Sequence, residues 1–119
     1  MTKPDKTPFG LSVRDMNTFR ELFWKYPEVH EVHLFGSRAK GNYKPGSDVD
    51  LAIINEGVNA GTITKLIADF SESSLPYTVD LVNLPLLKPG DLTEHIKRVG
   101  IVFYKREEFK IAPIPLVQK

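Results

Sequence analysis

The stretch FGSRAKGNYKPGSDVDLAI, residues 35–53, decides the fold and raises the first question about chemistry. Gly36 and Ser37 stand before a loop rich in turn-forming residues, and Asp48 and Asp50 follow it at the start of an apolar run. Two carboxylates this close repel each other when both are ionised, which indicates that a positive charge lies between them. The stretch therefore joins a tight glycine turn to an acidic pair across one short loop.

The segment DVDLAIIN, residues 48–55, has the β-branched and aliphatic composition of a largely buried strand. Side chains two residues apart in a strand point to the same face, so Asp48 and Asp50 are expected side by side. The opposite face is apolar and consists of Val49, Leu51 and Ile53. An Asp-x-Asp pair by itself is more typical of a turn or a solvated strand end than of a metal site.

A third carboxylate, Asp80, lies in TVDLV, inside an apolar segment that predicts an adjacent strand over about 77–84. Magnesium prefers carboxylate, water and phosphate oxygens, and a protein often supplies only one or two carboxylates to it. Asp48, Asp50 and Asp80 together predict a magnesium site, which could hold two ions about 3.5–4 Å apart, as in phosphoryl and nucleotidyl transfer.

The Gly-Ser turn predicts the other half of such a site. Gly36 lets the backbone approach a ligand closely, and Ser37 is expected to cap a short helical turn whose free N–H groups favour an anion. Arg38 and Lys40 follow, and their charges suit the phosphates of a nucleotide. By themselves these two basic residues are more typical of a solvated surface.

Composition limits the class of protein. The chain has 119 residues, of which 41% are hydrophobic and 26% charged, as expected for one globular domain. Lys and Arg number 16 against 15 Asp and Glu, a balance that argues against long nucleic acid as a partner. There is no cysteine, and no run approaches the ~20 apolar residues that span a bilayer. We expect a cytoplasmic protein without a membrane partner.

Helices and strands are predicted to alternate in an α/β (α+β) fold, a mixed β-sheet with helices packed against it. The predicted helices are 12–26, the short turn 37–40, 62–73 and 91–99. The predicted strands are 29–35, 48–55, 77–84 and a short edge strand IVFY at 101–104. A loose tail at 1–10 and an extended arm at 105–119 complete a single domain spanning 1–119.

Local signals predict two capped helix starts and one buried stripe. Ser12 with Asp15, and Asp91 with Glu94, have the spacing of capping boxes. The buried stripe of the helix at 62–73 is expected at Ile63, Ile67 and Phe70.

The segment GSRAKGNYKPGSDVDLAI resembles the Gly-Ser, spacer, Asp-x-Asp signature of the DNA polymerase β-like nucleotidyltransferase superfamily, and the short length resembles its minimal nucleotidyltransferase (MNT) branch. The resemblance covers about residues 12–104. It implies that Ser37 belongs to a phosphate-contacting turn and that Asp48 and Asp50 are metal ligands. It also implies that Asp80 is the third carboxylate, often proposed as the base that activates the acceptor hydroxyl.

The resemblance further implies Mg²⁺, a nucleoside triphosphate substrate, and transfer of a nucleoside monophosphate with release of pyrophosphate. MNT proteins are often antitoxins paired with a small helical HEPN protein, and some adenylylate their toxin. Two alternatives stay open: a non-catalytic nucleotide-binding subunit that neutralises or scaffolds its partner by occlusion, and a small-molecule nucleotidyltransferase. The acceptor, the base preference and any homo-oligomer stay open as well.

Overall fold

The computed structural model describes residues 9–107, which form four strands, four α-helices and one 3-10 turn. The helices are α1 (Val13–Trp24), α2 (Ser37–Lys40), α3 (Ala60–Glu72) and α4 (Asp91–Val99), and the 3-10 turn is Leu84–Leu86. The strands are β1 (Glu31–Phe35), β2 (Val49–Ile53), β3 (Val79–Asn83) and β4 (Ile101–Lys105).

The strands form one four-stranded mixed sheet in the order β3-β2-β1-β4. Strand β1 runs antiparallel to both β2 and β4, whereas β2 and β3 are parallel and are connected through α3. The predicted mixed sheet with packed helices is confirmed, and β4 lies at the predicted edge position. The parallel pairing brings the starts of β2 and β3 together at one end of the sheet.

The two faces of the sheet are covered unequally. The larger core lies between one face and helices α1 and α3, and its fully buried side chains include Phe19, Phe23, Leu34, Leu51 and Leu66. On the other face, a smaller cluster joins Phe35 and Ala52 to Ile96 of α4. Because strand side chains alternate, Asp50 and Asp80 share this second, less covered face.

The two predicted capping boxes differ in outcome. The Ser12 side chain accepts a 3.0 Å hydrogen bond from the Asp15 N–H and caps α1, as predicted. The Asp15 carboxylate accepts from the hydroxyl of Tyr77 at 3.0 Å, so it joins α1 to the segment before β3. The prediction of Asp91 as a cap was wrong: Gly90 occupies that position, no side chain caps α4, and Asp91 is its first residue.

The two predicted ends are only partly described. Phe9 packs against Phe103, with ring centroids 6.0 Å apart, so the part of the tail that the structure describes is attached to the core. At the other end, Lys105 belongs to β4 and its successor Arg106 bonds back to α1. The rest of the predicted tail and arm, 1–8 and 108–119, lies outside the described residues. No helix within 9–107 is long and apolar enough to cross a membrane.

Candidate active site

Three carboxylates meet near the start of β2 and β3. Asp50 of β2 is the direct register partner of Asp80 on the parallel strand β3, and on its other side it faces Phe35 of β1. Asp48 lies one residue before β2, on the same side of the chain as Asp50. The structure therefore brings together the three aspartates that the sequence nominated.

The electrostatics of Asp50 show how close these groups are. Burial first, and then the negative charges of Asp80 and Asp48, raise the pKa of the Asp50 carboxyl above its ordinary value of 3.8. Within residues 9–107, neither the Lys25–Asp69 ion pair nor the His33–Glu31 contact involves the three carboxylates, so no lysine, arginine or histidine there neutralises them. Among the described residues, the negative charge of the site on this partly buried strand is therefore uncompensated.

Gly36 couples the Gly-Ser turn to this acidic group. Its backbone has φ +79° and ψ −158°, a conformation that only glycine adopts readily. A Cβ atom built on Gly36 would stand 3.0 Å from Asp50 Cγ and would overlap Asp50 Oδ2. The glycine is therefore required twice, by its backbone conformation and by the carboxylate that lies against it.

The turn after Gly36 is the four-residue helix α2. It begins at Ser37, and Gly36 holds the cap position that was predicted for Ser37. Its first internal hydrogen bond runs from Lys40 N–H to the Gly36 carbonyl at 3.1 Å. Ser37 is half-buried beside Gly36, and Lys40 is exposed at the end of the turn. Both positions remain compatible with the predicted contacts to phosphate, which stay predictions.

Arg38 is buried and bonded to backbone carbonyls, whereas the sequence predicted either a phosphate ligand or a solvated surface residue. It is only 2% exposed, and its guanidinium donates to the carbonyls of Ser47 and Phe9. The rings of Tyr43 and Tyr77 lie over it, each 4.9 Å from the guanidinium carbon. Its donors point at backbone oxygens because a buried guanidinium must be hydrogen-bonded to be tolerated.

The donor chemistry fits Mg²⁺ as an open site. In the described part of the chain, no three His, Cys, Asp or Glu side chains form a ready-made metal cluster. The raised pKa of Asp50 marks the charge that a cation would offset. Because Mg²⁺ commonly takes one or two carboxylates together with substrate phosphates, Asp48 and Asp50 would hold it with a bound nucleotide.

A cavity of about 530 Å³ lies at the other end of the same sheet face and does not include the carboxylates. It is lined by His33, by Ile54 and Leu84 just after β2 and β3, and by residues of α4 such as Thr93. The acidic group is instead open to solvent, because Asp48 and Asp80 are both exposed.

Sequence reasoning missed the aromatic residues around the site. Phe35 flanks Asp50 in register, and the ring of His95 from α4 meets Phe35 edge-on at 6.5 Å between centroids. Tyr77 lies over Arg38 although it precedes a different strand. The alternation of polar and apolar residues could have placed Phe35 on the face of Asp50. No local signal could have placed His95 beside Phe35 or Tyr77 beside Arg38, because both contacts arise only through tertiary packing.

The chain is similar to known proteins in both sequence and fold. The family model described as polymerase beta, nucleotidyltransferase, matches residues 17–109, which include all three aspartates. The chain therefore belongs to the polymerase beta nucleotidyltransferase family, and it is a nucleotidyltransferase. Its similarity to a protein named MntA places it in the MNT branch, which the short length of the chain had predicted.

That relative is the Probable protein adenylyltransferase MntA of Haemophilus influenzae. It is 39% identical over 88 residues, which are 73% of this chain and 76% of that protein. Two solved structures share the fold at lower identity. One, a toxin–antitoxin with AMP-PNP, is 23% identical, covers 87% of each chain and has a TM-score of 0.63. The other, a tri-AMPylated Shewanella oneidensis HEPN toxin in complex with MNT antitoxin, is 20% identical over 89% of this chain and 86% of that one, with a TM-score of 0.59.

Proposed function

We propose that this chain transfers the AMP group of ATP, with Mg²⁺, to a hydroxyl of a partner protein, as the antitoxin of a HEPN/MNT toxin–antitoxin pair. The observation that carries the proposal is the register of Asp50 with Asp80, with Gly36 packed against the Asp50 carboxylate. This arrangement supports a metal-assisted site and a phosphate turn acting on one ligand.

Each side of the nucleotide site has its own task. Asp48 and Asp50 would hold the cation, which would supply positive charge to offset that of the phosphates. The backbone and hydroxyl of Ser37 orient the triphosphate, and Lys40 at the end of the same turn adds positive charge. Gly36 keeps the two sides in contact, since any side chain there would displace Asp50.

Asp80 is the proposed general base. Its carboxylate lies across the strand pair from Asp50 and is exposed, so an acceptor hydroxyl could reach it from solvent. In the transfer, the acceptor oxygen bonds to the α-phosphorus, the bond from that phosphorus to the bridging oxygen breaks, and pyrophosphate leaves. The hydroxyl proton passes to Asp80.

A protein acceptor is supported by two observations. The acidic group lies on an open part of the sheet face and not in the nearby cavity, so a bulky acceptor can approach it. The 39% identical relative carries the name protein adenylyltransferase, and a neighbour in fold is a complex with an AMPylated HEPN toxin. A small-molecule acceptor would have to be held on the same open surface.

The test uses the chain together with a small helical HEPN-type partner, to be sought in the adjoining reading frame. With Mg²⁺, ATP labelled at the α-phosphate should label the partner, and ATP labelled at the γ-phosphate should not. The double substitution Asp48→Asn and Asp50→Asn serves as the inactive control. Transfer of the γ-label would indicate a kinase. A stable complex without any transfer of label would overturn the catalytic proposal in favour of occlusion.

A further inference from the structure

Arg38 is a buried cation that the nucleotide site does not use directly. It follows Ser37 in α2 and is 2% exposed. Among the described residues no carboxylate forms an ion pair with it. Burying an uncompensated charge is costly, so its hydrogen bonds must hold it in a defined place.

Those hydrogen bonds connect three parts of the chain. Nε and Nη2 of Arg38 both donate to the Ser47 carbonyl, at 3.2 and 3.0 Å, and Nη1 donates to the Phe9 carbonyl at 2.7 Å. The Ser47 carbonyl belongs to the peptide plane that contains the nitrogen of Asp48. Two donors on one oxygen fix the orientation of that plane.

The stacking around Arg38 restricts its movement further. Tyr43, in the spacer loop at 41–47, and Tyr77 before β3 lie over the guanidinium, whose carbon is 4.9 Å from the centroid of each ring. Tyr43 also packs against Gly10. The Tyr77 hydroxyl is itself held by Asp15 of α1. The spacer loop is therefore attached to the core through Arg38.

We propose that Arg38 is a positioning residue that fixes the distance between the phosphate turn at Ser37 and the metal-binding carboxylate of Asp48. The inference rests on the proposed function and deepens it. The Arg38 side chain starts one residue after Ser37, and its guanidinium bonds to the peptide that joins Ser47 to Asp48, so it spans the loop between the turn and the acidic pair. Misplacement of reacting groups by about 1 Å can cost on the order of 10²-fold in rate, so a small shift of this peptide is sufficient to matter.

The proposal distinguishes arginine from lysine. A lysine ammonium keeps the charge, but it cannot donate through a planar fork to Ser47 and Phe9 or stack between two rings. Arg38→Lys should therefore fold yet hold the peptide before Asp48 less firmly. Arg106 is the matched control, because its guanidinium also donates to backbone carbonyls and lies 4.1 Å from the Trp24 ring, away from the site.

The experiment measures the dissociation constant of ATP by calorimetry in Mg²⁺ and in EDTA, for the wild type, Arg38→Lys and Arg106→Lys. We expect Arg38→Lys to leave the affinity in EDTA within about threefold and to weaken it in Mg²⁺ by about tenfold or more. Its transfer rate at saturating ATP should fall by about 10–100-fold. Arg106→Lys should lower the Tm and leave the ratio of the two affinities unchanged.

Several outcomes would overturn the inference. One is that Arg38→Lys lowers the Tm but keeps the wild-type transfer rate and the wild-type ratio of ATP affinities in Mg²⁺ and EDTA. Another is that Arg38→Lys weakens ATP binding equally in Mg²⁺ and in EDTA. If Arg38→Lys does not fold, Tyr43→Leu is the alternative, because it removes one of the two rings that lie over Arg38 and changes only a partly exposed residue. An unchanged ratio of the ATP affinities in Mg²⁺ and EDTA for Tyr43→Leu would then contradict the inference. If the wild type itself binds ATP equally in both conditions, the proposed function fails, and the inference fails with it.

Discussion

At the scale of single residues, Gly36 and Asp50 make the site one unit. Gly36 has the backbone conformation of glycine and no space for a side chain, because the Asp50 carboxylate lies against it. Asp50 in turn carries a raised pKa, caused by burial and by its two acidic neighbours. The motif thus combines a steric requirement with an electrostatic cost, and both concern the same carboxylate.

Comparing Gly36→Ala with Gly57→Ala separates the steric effect on Asp50 from the strain of a positive φ. We expect Gly36→Ala to cost about 1–3 kcal/mol of unfolding free energy through its φ and ψ, and to abolish metal-dependent ATP binding by displacing Asp50. Gly57→Ala is the control, because its φ is +93° but its Cβ would meet no atom within 4 Å. Urea unfolding and calorimetry check both variants. Wild-type ATP binding by Gly36→Ala would show that Asp50 does not depend on this contact.

Asp50 should make the metal-free protein less stable at neutral pH. Because folding raises its pKa, the stabilisation that protonated Asp50 contributes is fully present below the unfolded pKa of about 3.8 and is lost as pH rises through the folded pKa. Asp50→Asn should therefore raise the Tm at pH 7 in EDTA while removing the response to Mg²⁺.

Asp69 is the control of opposite sign. The Tyr26 hydroxyl, 2.6 Å away, is the main cause that lowers the pKa of Asp69, and Lys25 acts in the same direction. Its stabilisation is present above the unfolded pKa and is lost as pH falls through the folded one, so Asp69→Asn should lower the Tm at pH 7. Thermal melts of both variants between pH 3 and 8 test these opposite predictions. A lower Tm for Asp50→Asn at pH 7 would contradict the raised pKa of Asp50.

Asp80 should affect the chemical step more than binding. We expect Asp80→Asn to leave ATP affinity in Mg²⁺ within about threefold and to reduce transfer by about 10²–10⁴-fold, the usual contribution of a general base. Single-turnover transfer and calorimetry on the same preparation separate the two effects. Loss of binding with normal turnover of the bound nucleotide would make Asp80 a metal ligand only.

At the scale of elements, the sequence predicted where helices lie better than which side they bury. The periodicity of α3 predicted a stripe of Ile63, Ile67 and Phe70. The structure buries Thr62, Leu66 and Phe70 and leaves Ile67 45% exposed. Both stripes have helical spacing, and the observed one was not predicted because it begins with a polar residue, Thr62. Its hydroxyl is hydrogen-bonded to the Glu28 carboxylate, a partner from outside the helix that periodicity could not reveal.

Helix α1 has a C-terminal cap that also comes from a distant segment. The last turn of α1 contains no basic residue. Arg106 donates to the carbonyl of Trp24, the last residue of α1, at 2.8 Å and to that of Tyr26, just beyond the helix, at 3.0 Å. We expect Arg106→Ala to cost about 1–3 kcal/mol of unfolding free energy, because partly buried carbonyls, that of Tyr26 among them, lose a charged donor. ATP binding should not change. Urea unfolding tests this, and an unchanged midpoint would mean that water replaces the guanidinium without cost.

At the scale of the whole molecule, the site depends on the topology of the sheet. Local patterns predicted each strand and nominated the three aspartates. The pairing of β2 with β3 in parallel, which sets Asp50 opposite Asp80, depends on long-range packing of α3 against β3. For the same reason, Arg38 could not be placed from sequence: its partners Phe9, Ser47 and Tyr77 come from three separate segments.

The central claim is that the Gly-Ser turn and the three carboxylates act together on one metal-bound nucleotide. The most direct measurement is the affinity for ATP by titration calorimetry in Mg²⁺ and in EDTA, for the wild type and for Asp50→Asn. We expect the wild type to bind at least about tenfold more tightly with Mg²⁺, and Asp50→Asn to show no such difference. Equal wild-type affinity in Mg²⁺ and in EDTA would contradict the claim.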